Sequence, residues 1–165
     1  MPPKLPPLRF VRSVLNSFSK DSGLEPRLTS LQFRVTGASV GKVEFELAIQ
    51  KEHTVNRLQT IHGGTLASLV DLGGSLAVAS KGRFMTGVST DINVTYLNPG
   101  GTPGDIMTGT AICDKMGRTL AYTTVQFFNN KGELAARGSH TKYIAKTWVS
   151  EDFVAPDEYV AEEEK

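Results

Sequence analysis

Residues 56–80, NRLQTIHGGTLASLVDLGGSLAVAS, decide the fold, because they join a polar loop to a glycine turn and then to a long apolar run. From Thr65 onward, Leu66, Ala67, Leu69, Val70, Leu72, Leu76, Ala77 and Val78 predict a helix that is apolar nearly all round. Such a helix is normally buried. Asp71, in its middle, is then a carboxylate held away from water, which is costly unless the group is paired or used. No basic residue lies within helical reach of Asp71, so no partner on the same helix neutralises it, and a functional role is favoured over a structural one. At the start of the run, Gly63 and Gly64 leave the first backbone N–H groups of the helix uncovered and able to meet a carbonyl oxygen closely. That is the logic of an oxyanion hole, although the same three residues, His62, Gly63 and Gly64, would also serve as a tight turn capping a core helix.

Gly63 and Asp71 are eight positions apart, hence roughly 12 Å apart along a helix axis. One carbonyl cannot touch both. If both act on the same carbon, they come from two copies of the helix packed antiparallel about a two-fold axis.

Outward from this stretch, 165 residues with 39% hydrophobic and 21% charged content make about one ordinary globular domain. A formal charge of +1 lacks the concentrated basic surface of a nucleic-acid protein. Cys113 is the single cysteine, so no intramolecular disulfide forms. His53, His62 and His140 are scattered without a ligand spacing, and no metal site is predicted. The first twenty residues carry prolines at 2, 3, 6 and 7 and no continuous apolar core, which excludes a signal peptide and predicts a cytoplasmic protein. The same residues hold Lys4, Arg9, Arg12 and Lys20 without an acid, with Leu8, Val11, Leu15 and Phe18 at helical spacing. Both a mitochondrial transit peptide and a docking helix have that pattern. The apolar run at 65–80 is too short to span a membrane.

Residues 22–26 punctuate the chain, Leu31, Phe33 and Val35 alternate as a strand, and a turn is predicted at 36–39. Val43, Phe45, Leu47 and Ile49 then alternate with Lys42, Glu44, Glu46 and Ala48, so one face is core. After the central helix, Val88, Thr90, Ile92, Val94 and Tyr96 predict a strand, and Ile106, Thr108, Thr110 and Ile112 predict another. A turn follows at 114–118, then a strand at 119–128, a turn at 129–132 and a last strand at 133–144. From Glu151 the chain holds seven acids and one lysine, the composition of a solvated, disordered end. The order predicts an α+β domain in which a mainly antiparallel sheet wraps one apolar helix. Its divisions are 1–26 (a helical extension), 27–146 (the domain) and 147–165 (the acidic tail).

Over about 27–146 the chain resembles the hotdog-fold acyl-CoA thioesterases. Within them it resembles the branch of the phenylacetate-pathway enzymes and thioesterase superfamily member 2 (acyl-CoA thioesterase 13). The residues that carry the likeness are Asn56, HGG at 62–64, Asp71, GVSTDINVTYLNP at 87–99, GRTLAYTTV at 117–125 and GSHTKY at 138–143. The resemblance implies that the Gly63 amide binds the thioester carbonyl and that Asp71 of the neighbouring subunit activates water or attacks directly. It implies that Ser89 positions the water, and that Asn56 and His62 hold the loop and the thioester end. It places coenzyme A by Lys115, Gly117, Arg118, Thr119, Lys142, Tyr143 and Tyr96, as part of the substrate, so that no cofactor is required. It implies a homodimer and, back to back through the sheets, a homotetramer. Taken singly, Ser89 is also an ordinary strand serine, Asn56 a turn residue, His62 a structural histidine, and Lys115, Arg118 and Lys142 surface cations. Gly73 and Gly74 serve close helix packing or leave room for an acyl chain. The competing readings are a hotdog dehydratase or hydratase, whose histidine-centred loop is missing, and a non-catalytic acyl-CoA binding module, which would lack Asp71.

Overall fold

The computed structural model describes residues 3–21, 32–53, 56–147 and 152–162. Helix α1 (Pro7–Asp21) precedes strands β1 (Phe33–Ser39) and β2 (Lys42–Ala48), and a short 3-10 turn (Lys51–His53) leads toward the long helix α2 (Gly63–Ala79). Strands β3 (Val88–Tyr96), β4 (Ile106–Met116), β5 (Leu120–Phe128) and β6 (Leu134–Tyr143) follow. All six strands form one antiparallel sheet in the order β1-β2-β4-β5-β6-β3.

Helix α2 packs on β2, β3, β4, β5 and β6, so the sheet wraps it. Its apolar side chains Leu66, Leu69, Leu72 and Leu76 meet the inward residues Val43, Phe45, Met107, Ala111, Val125 and Phe127 in one core. Burial of that size stabilises each leucine by about 1.5–3 kcal/mol relative to water. The helix comes close to the sheet because glycines stand at the contacts. A Cβ on Gly73 would press on Val125 at 3.2 Å, one on Gly74 would collide with His140 and Thr123, and one on Gly138 of β6 would stand 2.6 Å from Val70. Gly73 and Gly74 thus serve packing rather than an acyl channel.

Three expectations change. The β1–β2 turn is at Val40 and Gly41, not 36–39, and Gly37 instead belongs to an irregularity of register that starts after Val35. The inward side of β4 is Met107, Gly109, Ala111 and Cys113, whereas Ile106 and Ile112 face out. The Phe45 ring lies where a side chain at 109 would go, so a glycine stands there on the buried side. β4 also runs on to Met116, with a bulge between Cys113 and Lys115, which shortens the 114–118 turn to its last residues.

The third change is the acid-rich end. Residues 152–162 lie along α1: Phe153 meets Phe10 edge-on at 5.4 Å, Ala155 and Ala161 are buried, and Tyr159 stacks on Phe84 at 5.7 Å. Arg9 and Lys20 of α1 donate to the carbonyls of Ala161 and Glu158, and the Tyr159 hydroxyl bonds Asp21. The acids of this segment conceal a regular sprinkling of apolar residues that dock while the carboxylates stay in water. Leu31 and the break at 22–26 lie outside the described residues. Among the described residues, no helix is long and apolar enough to cross a membrane.

Candidate active site

Helix α2 carries two groups of polar contacts, one at its start and one at its middle. At the start, His62 is the N-cap, and its Nδ1 accepts from the Gly64 amide at 2.9 Å. Such a side-chain cap satisfies one of the orphan donors of the first turn. The Gly63 carbonyl accepts from the Tyr96 hydroxyl at 2.7 Å. The Gly63 amide makes no hydrogen bond among the described residues. Just before the helix, Asn56 folds its loop on itself: its Oδ1 accepts from the Thr60 amide at 2.8 Å and its Nδ2 donates to the Thr60 hydroxyl at 2.6 Å. The His62 amide, in turn, is tied to the His53 carbonyl at 2.9 Å.

At the middle, Asp71 meets the sheet. Ser89, at the start of β3, donates to Asp71 Oδ1 at 3.2 Å, and His140 Nε2 of β6 lies 2.9 Å from the Ser89 hydroxyl and 3.4 Å from Asp71 Oδ1. Serine has one proton; if it goes to Asp71, Ser89 accepts from His140, which assigns the proton of the ring to Nε2. Asp71 is not shut away as its apolar helix suggested, since a third of its side chain (34%) reaches solvent while His140 is fully buried. The carboxylate looks outward and is held from behind.

Burial is also what dominates the electrostatics. It pushes His140 down to about 4, with the nearby Lys142 charge acting in the same direction and Asp71 opposing. At neutral pH the ring is therefore uncharged, and its 3.4 Å approach to Asp71 is a contact beside the Ser89 hydrogen bond, not an ion pair. Lys142 is not the surface cation expected. It is 3% exposed, points inward beside His140 and donates to the Ser75 hydroxyl of α2 at 2.8 Å.

Lys115, Gly117, Arg118 and Thr119 come together at the β4–β5 hairpin, beside Tyr143, which pairs with Leu120 on one side and Val88 on the other. This is the end of the sheet that holds Ser89. Tyr96 is not there: it lies eight residues along β3 from Val88, roughly 26 Å away at strand rise, against the start of α2.

Residues 58–136 match the Thioesterase superfamily. A putative esterase of Schizosaccharomyces pombe is 44% identical over 83% of this chain and 84% of its own. Human acyl-coenzyme A thioesterase 13 is 38% identical over 81% of this chain and 94% of its own. The crystal structure of zebrafish thioesterase superfamily member 2 superposes with a TM-score of 0.73 at 37% identity, covering 82% of this chain and 96% of that one. The chain belongs to the thioesterase superfamily.

Its sheet wrapped around α2 is the hotdog fold of that superfamily. In this thioesterase, Asp71 and Ser89 are in contact, and His62, Gly63 and Tyr96 form a second group with Asn56 in the adjoining loop. No single protomer brings the two groups together, because both are fixed to one rigid helix. Sequence reasoning missed His140. Its signal was the alternation in β6, where Gly138, His140 and Lys142 share the inward face, so that a histidine and a lysine stand where apolar residues belong.

Proposed function

We propose that this thioesterase hydrolyses acyl-CoA thioesters to a free acid and coenzyme A, at a site shared between two copies of the chain. The observation that carries the reading is Asp71 itself: a partly exposed carboxylate on an otherwise apolar helix, braced by Ser89 and His140, with no cation paired to it among the described residues. The name of the human relative supports coenzyme A as the leaving group. The Gly63 amide receives the thioester oxygen as it gains charge, a role worth about 3–4 kcal/mol for one such donor. Asp71 of the second copy activates water or attacks the carbonyl carbon, and Ser89 orients the reacting oxygen. The hairpin residues Lys115, Gly117, Arg118 and Thr119, with Tyr143, hold the coenzyme. A carboxylate and water suffice for this hydrolysis, and coenzyme A is part of the substrate.

A shared site fits the surfaces left open. Beyond its first turn, Ala67, Ser68 and Asp71 of α2 remain partly uncovered on one stripe with Gly64, and β3 is an edge strand exposed along nearly its whole length. An exposed edge of that kind is a template for pairing. Two-fold pairing there turns the helices antiparallel and brings each Asp71 toward the other Gly63. His140 next to a carboxylate is superficially the dehydratase arrangement. Its ring, however, is fully buried behind Ser89 and has no access to a substrate carbon.

The test combines two defects, Asp71→Asn in one chain and Gly63→Pro in the other, in a dimer purified by two tags. Proline at the first helical position keeps the helix and removes the amide donor. A shared site predicts that the mixed dimer regains up to about half of the wild-type activity per dimer, since one of its two sites is intact. Sites confined to single chains predict a mixed dimer as inactive as either parent.

A further inference from the structure

The peptide that joins Gly63 to Gly64 is held at both ends by side chains. Its carbonyl accepts from the Tyr96 hydroxyl at 2.7 Å, and its N–H donates to His62 Nδ1 at 2.9 Å. The hydroxyl end of the Tyr96 ring also lies against the first glycine, for a Cβ there would stand 3.2 Å from Cζ and 3.3 Å from the hydroxyl oxygen. A pair of glycines is the most freely rotating backbone a chain can place at a helix start. Left alone, the first turn would fray and its donors would wander. The Gly63 N–H belongs to the preceding peptide, whose His62 carbonyl accepts from the Thr65 and Leu66 amides at 3.0 and 3.1 Å. With the planes on both sides of Gly63 tied, that N–H has one direction, and among the described residues it makes no hydrogen bond.

We propose that Tyr96 is a positioning residue, whose hydroxyl clamps the Gly63 carbonyl and so preorganises the Gly63 amide toward the thioester oxygen. The inference rests on the reading that this amide stabilises the oxyanion, and it adds the residue that aims it. Tyr96 is suited to the task by its place in the fold. As the last residue of β3 it is fixed by pairing with Ala136 of β6, so its hydroxyl is referenced to the sheet and the helix start is tied to the sheet through it. A preorganised donor costs no reorganisation when charge develops, which is why the clamp acts on the chemical step and not on binding.

Tyr96→Phe tests this directly, because it keeps the ring over Gly63 and removes only the hydroxyl. The expected result is a kcat about tenfold lower, equivalent to about 1.4 kcal/mol, with KM for acyl-CoA and inhibition by free coenzyme A within about twofold of wild type. Hydrogen exchange of the Gly64 amide, followed by NMR in the substrate-free protein, is expected to accelerate, because its peptide has lost one of two anchors. An unchanged kcat overturns the proposal, and so does weaker inhibition by free coenzyme A at unchanged kcat, which would make Tyr96 a coenzyme contact. Unchanged Gly64 exchange overturns the clamp whatever the activity. If exchange accelerates while kcat stays level, Gly63→Pro locates the failure: full activity in that variant removes the amide reading itself, whereas loss of activity leaves the amide reading standing and removes Tyr96 from it.

Discussion

The start and the middle of α2 solve the same problem by opposite means. At the start, the candidate donor is a main-chain N–H, and the groups that hold its surroundings, His62 and Tyr96, are themselves exposed, Tyr96 by 53%. At the middle, the candidate acting group is a side chain, and what holds it is buried: His140 is fully enclosed and Lys142 nearly so. A backbone donor needs only its dihedrals fixed, and surface hydrogen bonds of about 1 kcal/mol each can do that while leaving room for substrate. A carboxylate on a rotatable side chain needs a rigid, low-dielectric support, where each hydrogen bond is stronger and each missing partner costs more. Perturbation at the start of the helix is therefore expected to change activity with little change in stability, and perturbation at its middle to change both.

The largest expected effect is at the middle. Asp71→Asn keeps the volume of the side chain and can still accept from Ser89, but it abolishes the base or nucleophile. Its kcat is expected to fall about 10²-fold to 10⁴-fold while the assembly, measured by light scattering, is retained. A variant with near-wild-type kcat would remove Asp71 from the chemistry and with it the contrast between the two ends.

Next in size is a stability effect confined to the middle group. His140 titrates at about 4 in the folded protein against an ordinary 6.5, chiefly because burial disfavours its charged form. The unfolded chain therefore binds this proton before the folded chain does, and stability falls as pH drops from about 6.5 toward 4, by on the order of 3 kcal/mol at most. His53, also lowered chiefly by burial, adds to the loss in the same direction. Urea titrations at pH 7, 5.5 and 4.5 measure the slope. In His140→Asn the slope is expected to be shallower and stability at pH 7 lower, because Ser89 loses its buried partner. A pH slope in His140→Asn as steep as that of wild type would show that this ring is not what titrates.

How much of this was legible in the sequence follows from the same contrast. The helix, its glycine start and Asp71 could be read from residues 56–80 alone, because a helix-period run with one acid in it is a local signal. Element order followed from turns and alternation. What could not be read is what long-range contact decides. The inward face of β4 carries Gly109 because Phe45 of another strand fills its space, so the isoleucines of that strand do not mark its core side. Asp71 looked buried because a helix flanked by leucines says nothing of which stripe the sheet leaves open. His140 is silent in sequence, since its meaning comes from Ser89, fifty-one residues away on a strand that pairs with its own. Tyr96 was grouped with Thr119 and Tyr143 through the family likeness, and within one protomer the register of β3 on β6 puts them at opposite ends of the sheet.

The smallest expected effect belongs to the proposed coenzyme site. Lys115 and Arg118 lie on the exposed β4–β5 hairpin, where the proposed contacts to phosphates act only through solvent-screened charge. Lys115→Ala and Arg118→Ala are each expected to raise KM by roughly twofold to fivefold, the scale of about 0.5–1 kcal/mol per exposed ionic contact, with kcat unchanged. Arginine's bidentate geometry toward phosphate predicts the larger of the two for Arg118. Added salt is expected to raise the wild-type KM and to compress the difference between wild type and either variant, since screening removes what the mutation removes. Lys142→Met provides the contrasting arm. Its ammonium is buried against Ser75, so its loss is expected to change stability and leave the salt dependence of KM as in wild type. If KM instead responds to Lys142→Met and not to the hairpin variants, the phosphates bind at the β6 end and the hairpin assignment fails.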